Sequence, residues 1–393
     1  MLIGFTVDNF RSFFDETTLS MAATGDMEHR AFNVIATPHG DLLKSVLVYG
    51  ANAIGKSNLI HALYYLKKMI VSSIDVQTEH IKTCQSFSFR EDAGMSPTKF
   101  EISFILDSQF GLGAKAVFDY GFEILGGKIS REYLYKKDQW QTLVFERTAP
   151  EFDSINLSPD MADVEPLKKN VRGDVLLLSW AAYANNALAM KIVNWIANGL
   201  IIYGLNGKVD AVSSAVTDFT QAFVRKSDSD ILGMRLNPGG HLVSSHMVYN
   251  EDWKSFQTVE VPFADYASEG TKRMFELSDT FSKAINDSAV IVIDEMDLHL
   301  HPALVRHLIA LVNSIEYNSN NAQLICTTHD VLLLDEDIRR DQIWFVDKDE
   351  HSVSRLYALS DFIDVRKNSD LLKRYLLGVY GAIPDFARGD RDE

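Results

Sequence analysis

Only two cysteines, Cys84 and Cys326, occur in 393 residues, and they stand far apart with no partner spacing. That usage supports neither a disulfide framework nor a cysteine-based zinc site, and it points to a reducing cytoplasm. No basic region leads into a long apolar run at the N-terminus, and no apolar stretch is long enough to span a bilayer, so neither secretion nor membrane insertion is expected. Positive charge is also short: 38 Lys and Arg face 54 Asp and Glu, a net charge of −16. This argues against a surface broadly coated by nucleic acid and leaves room only for a local basic groove. Internal repeats, low-complexity tracts and coiled-coil heptads are lacking as well. What is present is a globular composition, 46% hydrophobic and 23% charged, with enough apolar chain for a sizeable core.

Ile3, Phe5 and Val7 alternate as in a strand, and Val46-Leu47-Val48-Tyr49 forms a second strand that runs into a glycine-bearing turn. Leu59, Ile60, Leu63, Leu66 and Ile70 follow at three- and four-residue steps, the stripe of a helix packed on a sheet. From Phe87 to Phe145, short alternating runs punctuated by Gly111, Gly113, Gly126 and Gly127 predict an antiparallel β lobe. From Val164 to Val224 helical spacing takes over, with Ile192, Trp195 and Ile196 on one stripe and Val212, Ala215, Val216, Phe219 and Phe223 on another. After Asn237-Pro238-Gly239-Gly240, strand and helix alternate again, with wholly apolar strands at Val290–Ile293 and Leu324–Cys326 that suit a sheet covered on both faces. The expected units are 1–85, a β lobe 86–163, a helical lobe 164–240 and a closing half 241–393.

Gly50-Ala51-Asn52-Ala53-Ile54-Gly55-Lys56-Ser57 fits G-x-x-x-x-G-K-S between a strand and a helix, the context that a phosphate-binding loop requires. Its glycines let backbone N–H groups converge on phosphate oxygens, Lys56 reaches the outer phosphates and Ser57 ligates Mg²⁺. Asp294-Glu295 ends a buried strand, where ligands bind in open α/β sheets. Asp294 is assigned to the metal and Glu295 to the attacking water. Lys56 and Asp294 stand too far apart for a compact single-lobe core, so an insertion separates the two halves of the sheet. Ser268-Glu269-Gly270-Thr271-Lys272 opens a helix that carries Met274, Leu277, Phe281 and Ile285 on one face, with Ser268 as its N-cap. Taken alone this is a capped helix, although its free N–H groups suit an anion. His329, at the end of another buried strand, suits the terminal phosphate or the attacking water; alone it reads as a structural residue.

In this order the motifs resemble the ATP-binding-cassette (ABC) ATPases of the SMC, RecF and OLD group, and more closely the AAA15-type, RloA/AbiL-like ATPases associated with phage defence. The resemblance covers nearly the whole chain. It is carried by Asn9-Phe10-Arg11-Ser12-Phe13, the P-loop, Ser268-Glu269-Gly270-Thr271, Asp294-Glu295, the D-loop-like Met296-Asp297-Leu298-His299-Leu300-His301-Pro302, His329, and the closing Arg374–Pro384. The fold it implies is an α/β ABC-ATPase head with an inserted antiparallel β lobe and a helical lobe. It further implies ATP and Mg²⁺ as cofactors, and a homodimer, with room for a higher oligomer, in which ATP is sandwiched between one subunit's P-loop and the other's signature helix. Arg11 would then help to hold phosphate, together with Gly50, Asn52, Gly55, Lys56, Ser57 and Asn58. Ser268 and Gly270 would face the partner's γ-phosphate, and Asp297 would connect the two sites. Glu269, Thr271 and Lys272 depart from the transporter-type signature, which weakens a transporter reading. Gln85 is the best candidate for a Q-loop glutamine, with an ordinary surface glutamine as the alternative.

His299 and His301 suggest a metal pair, but no carboxylate or cysteine set accompanies them and the D-loop accounts for the segment. The chain after His329 is too short for the Toprim nuclease domain of OLD proteins, so the acidic run Asp335-Glu336-Asp337 reads as a solvated loop and any effector activity is expected in another polypeptide. The function implied is that of a cytoplasmic ATPase regulating a nuclease or toxin partner, RloB-like or Toprim-type, with a phage-derived trigger. The alternative is a RecF-like, DNA-binding ATPase of repair or maintenance, for which DNA-stimulated turnover with strong salt dependence is expected.

Overall fold

Alternate residues of the central strands enter two different cores, which is why these strands are apolar throughout. Val46 and Val48 pack into one core and Leu47 and Tyr49 into the other. The same division separates Val290 and Val292 from Ile291 and Ile293. A strand of period two with both faces covered has no position left for a polar residue. The computed structural model describes residues 1–75, 84–106, 116–138, 140–148, 155–205, 216–335, 338–363 and 370–384. Gly111, Gly113, Val212, Ala215, Glu336 and Asp337, singled out above, lie outside those residues.

The central sheet has six strands, in the spatial order Leu200–Tyr203, Val290–Ile293, Gln323–Thr327, Ser45–Tyr49, Ile343–Lys348 and Ser354–Ala358. The first five are parallel and the last closes an antiparallel hairpin. The helix Lys56–Ser72 supplies Leu59, Leu63, Leu66 and Ile70 to one core, while Glu269–Asp287 and Pro302–Asn313 supply Met274, Leu277, Phe281, Val305 and Leu308 to the other. A seven-stranded antiparallel sheet covers the far side of the Lys56–Ser72 helix, in the order Asn156–Leu157, Gln141–Thr148, Lys128–Lys137, Ala116–Leu125, Thr98–Leu106, Leu2–Asp8 and Thr17–Ser20. Tyr65 of the helix stacks on Phe100 at 5.0 Å, and Phe104 stacks on Trp195 at 4.5 Å. The fold is mixed α/β, a parallel sheet joined through helices to an antiparallel lobe.

Several boundaries differ from the sequence reading. The β lobe does not begin at residue 86, because Leu2–Asp8 pairs directly with Thr98–Leu106 and the first strands of the chain belong to the same sheet. The segment 164–240 is not wholly helical. Helices Leu177–Tyr183 and Ala187–Gly199 are followed by Leu200–Tyr203, the edge strand of the central sheet. Four buried apolar residues after a glycine suit either a helix or a strand, and the parallel pairing with Val290–Ile293 settles which. Residue 240 falls in the turn of a hairpin: Gly233–Leu236, Leu242–Tyr249 and Phe256–Pro262 form a separate three-stranded sheet. After His329, the Ile343–Lys348 and Ser354–Ala358 hairpin and the helix Leu371–Leu376 complete the described chain, with Tyr375 stacked on Phe345.

One buried carboxylate fastens the lobes together. Glu132, on the antiparallel sheet, accepts from the backbone N–H groups of Leu177 (2.7 Å) and Leu178 (2.9 Å), from Arg147 Nε (2.8 Å) and from the Tyr120 hydroxyl (3.0 Å). It thereby serves the start of the Leu177–Tyr183 helix, which has no side-chain cap of its own. That helix in turn donates from Ser179 Oγ to the carbonyl of Ile70 on the P-loop helix.

Candidate nucleotide-binding site

The P-loop, Asp294, Glu295, Asp297 and His329 lie where central strands end, whereas the signature residues, Gln85 and the histidine pair do not line the cleft there. Ser45–Tyr49 delivers the chain to Gly50, whose φ of +154° only glycine adopts readily, and a Cβ there would sit 2.7 Å from the carbonyl oxygen of Val346. Gly55 has φ +118°, and its missing Cβ leaves room for the hydroxyls of Ser12 and Ser354. These serines brace the loop from outside: Ser354 Oγ donates to the carbonyl of Ile54, and Ser12 Oγ accepts from Asn58 Nδ2 at 2.8 Å. Lys348 Nζ donates to the carbonyl of Ala53 at 2.7 Å.

Lys56 is 6% exposed, and its ammonium donates to the carbonyls of Gly50 and Ala51, both at 2.8 Å. Burial lowers its pKa to about 8, opposed by the negative charges of Asp294, Glu295 and Asp297. Beside it, Arg11 reaches Asn58 Oδ1 at 3.4 Å, while its Nε is buried without a hydrogen-bond partner. Such a donor suits an anionic oxygen. The Arg11 N–H donates to the carbonyl of Gln85 at 2.9 Å. The Gln85 side chain is exposed and is not part of the cleft wall.

Asp294 and Glu295 leave the buried strand Val290–Ile293, and Glu295 turns with φ +51°. Thr327 Oγ1 donates to Asp294 Oδ1 and accepts from the Glu295 N–H, each at 2.7 Å. The carbonyl of Glu295 accepts from Arg273 at 3.2 Å, and the Arg273 guanidinium lies 4.4 Å over the Tyr203 ring. Asp297 accepts the His329 N–H with both carboxylate oxygens at 3.2 Å. Burial and the Lys56 charge lower the His329 pKa against the opposing charges of Asp297, Glu295 and Asp294, which favours the neutral imidazole, a group that can orient a water or a phosphate oxygen without adding charge.

Asn52, Ala53, Gly55, Lys56, Ser57, Asn58, Glu295 and His329 wall a polar cleft of about 280 Å³. Among the described residues no cluster of three or more His, Cys, Asp or Glu could hold a metal by itself. A hydroxyl and one carboxylate, Ser57 and Asp294, do suit Mg²⁺, which keeps waters and takes substrate phosphates as its other ligands.

The signature residues lie elsewhere. Ser268 caps the Glu269–Asp287 helix by accepting from the Thr271 N–H at 3.1 Å, and Glu269 pairs with Lys272 on the surface at 2.9 Å. Gly270 lies against the D-loop-like segment, where a Cβ would meet the carbonyl oxygen of His299 at 2.7 Å. None of the five lines the cleft. His301 Nδ1 caps the Pro302–Asn313 helix through the Ala303 N–H at 3.2 Å. Thr327 and Arg273 were not singled out in the sequence; a polar residue closing a wholly apolar strand was the available sign for Thr327.

A family profile described as "AAA domain, putative AbiEii toxin, Type IV TA system" matches residues 226–335, the stretch from the three-stranded sheet through the signature helix to His329. No curated protein matches the chain. Among solved structures, the SMC head domain from Thermotoga maritima is 12% identical, with 91% of this chain and 98% of that chain covered at a TM-score of 0.41. The Smc head domain of Pyrococcus furiosus, solved with an extended coiled coil and bound to the C-terminal domain of ScpA, is 14% identical, with 91% and 96% covered at a TM-score of 0.40. No helix among the described residues is long and apolar enough to cross a membrane.

Proposed function

We propose that the chain is a Mg²⁺-dependent ATPase whose active sites form between two copies meeting head to tail, and that this ATP-driven closure controls a separate nuclease or toxin effector in phage defence. The incompleteness of the cleft carries the reading. Lys56, Ser57, Glu295 and His329 face one open space, while Ser268 and Gly270, which carry the other anion-seeking helix start, stand outside it. Two opposed half-sites supply what one lacks.

In this mechanism the backbone of Gly50–Gly55, Lys56 and Arg11 hold the phosphates. Ser57 and Asp294 hold Mg²⁺, which when bound neutralises charge on the phosphate oxygens. Glu295 takes a proton from the attacking water and the neutral His329 orients it. The partner copy brings Ser268 and Gly270 to the terminal phosphate, and Asp297, bonded to His329, links the two sites. The defence role draws support from the toxin–antitoxin description of the family profile over residues 226–335.

The test uses two variants. Lys56→Ala is expected to lose ATP binding. Glu295→Gln is expected to bind ATP, slow by about 10²- to 10⁴-fold as for loss of a general base, and elute as a dimer in ATP. Unimpaired turnover of Glu295→Gln would remove the catalytic assignment. A pull-down of that variant with ATP from the native host reads the partner: a stoichiometric nuclease or toxin supports the effector role, whereas DNA with repair factors replaces it with a RecF-like clamp.

A further inference from the structure

Three consecutive residues at the catalytic turn are held by one side chain and its own backbone. Thr327 Oγ1 donates to Asp294 Oδ1, the same oxygen accepts from the Glu295 N–H, and the Thr327 carbonyl accepts from the Met296 N–H at 2.9 Å. Thr327 is fully buried, and a β-branched side chain has few rotamers to choose from. The residue it grips, Glu295, stands at φ +51°, a conformation that a non-glycine residue keeps only when its surroundings hold it there.

We infer that Thr327 is a positioning residue of the ATPase site, holding the carboxylate of Asp294 and the backbone turn that carries Glu295. A hydroxyl has one proton to give. Spending it on Asp294 Oδ1 ties down one oxygen of that carboxylate and leaves the lone pairs of Oδ2 for other partners. The lone pairs of the same oxygen then accept from the backbone N–H of Glu295, so the orientation of the metal-binding carboxylate and the backbone turn from which the water-activating one projects are set together. No other hydroxyl contacts both residues among the described residues. The arrangement makes strand Gln323–Thr327, which lies between the P-loop strand and the strand of Asp294, the reference against which the two sides of the cleft are aligned.

The inference rests on the ATPase reading above, and the experiment separates the two. Thr327→Val keeps the shape and removes the hydroxyl, and Thr327→Ser keeps the hydroxyl. Turnover, the affinity for a fluorescent ATP analogue in Mg²⁺ and in EDTA, and the melting temperature are measured for each. Thr327→Val is expected to lose about 10- to 100-fold in kcat, as for outer partners of metal ligands, and to lose most of the tightening of nucleotide binding by Mg²⁺. Thr327→Ser is expected to recover both. If valine is not accommodated, Thr327→Ala reports the same loss of hydroxyl without added bulk. A valine or alanine variant that melts lower but retains the Mg²⁺ tightening and turnover of the parent overturns the inference, because the hydroxyl would then be structural only. An inactive parent protein, or a Glu295→Gln variant as fast as the parent, would overturn the ATPase reading, and the Mg²⁺ tightening would still report on Thr327.

Discussion

Two sets of acidic residues in this molecule show opposite treatment of the same chemical group. Glu132 is fully buried and surrounded by four donors: two backbone N–H groups, a guanidinium and a phenol. Asp294 and Glu295 follow a strand that ends beside a polar cleft; among the described residues one oxygen of Asp294 accepts from a neighbour's hydroxyl, and the exposed Glu295 side chain lines the cleft. A carboxylate with every lone pair engaged has nothing left to offer a substrate, and its removal costs the fold. A carboxylate with open lone pairs costs the fold little and is free for chemistry. Saturation separates the structural acid from the two proposed for catalysis, where burial alone or residue type would not.

The largest effect should come from breaking the saturated side. Glu132→Ala leaves Arg147 as an uncompensated buried charge and strands two helix-start N–H groups, with an expected cost of about 3–5 kcal/mol. Urea unfolding would read this as a shift in midpoint at nearly constant slope, and a loss within about 0.5 kcal/mol, as at an ordinary surface site, would erase the contrast. Next comes Gly270→Ala. Its Cβ would meet the His299 carbonyl oxygen at 2.7 Å, so the signature helix and the D-loop-like segment must separate. A stability loss of about 1–3 kcal/mol is expected, with weakened ATP-dependent dimerisation as the accompanying sign in sedimentation. The smallest effect concerns Lys56, whose pKa burial lowers to about 8. ATP affinity should fall as pH rises through that value in the nucleotide-free protein, up to about tenfold per pH unit. The stability contribution of Lys56 runs the other way. Between pH 8 and 10.5 the unfolded chain binds more protons than the folded one, so stability rises with pH over that window. A titration of affinity in the range pH 7–9.5 that stays flat would show that the ammonium is not the group being desolvated.

The cleft was far more legible in the sequence than the lobes. A P-loop is written in consecutive residues whose geometry is local: Gly50, Ala53 and Gly55 have positive φ values and Lys56 follows at once. The wholly apolar strands at Val290–Ile293 and Leu324–Cys326 also show themselves, because being covered on both faces leaves a continuous apolar run. Leu200–Tyr203 carries the same kind of run, but it follows directly on a helix, and only its pairing partner ninety residues on makes it a strand. Glu132 gave no sign at all. In the sequence it is one acidic residue in Lys-Ile-Ser-Arg-Glu-Tyr, and its four donors come from three separate segments. Contacts of that sort have no local signature, and for the same reason the first strands of the chain could not be assigned to the β lobe from their own residues.

The strand that leads to the P-loop has neighbours only from far downstream: Gln323–Thr327 on one side and Ile343–Lys348 on the other. During synthesis the segment Ser45–Tyr49 therefore leaves the ribosome with no partner for either edge, and at ordinary elongation rates it waits on the order of tens of seconds for both. An apolar, unpaired strand over that interval is a natural client for a chaperone. A chain interrupted before Ile343 would carry the whole P-loop sequence on a strand with one edge still unpaired, its neighbour Gln323–Thr327 already made and its neighbour Ile343–Lys348 missing.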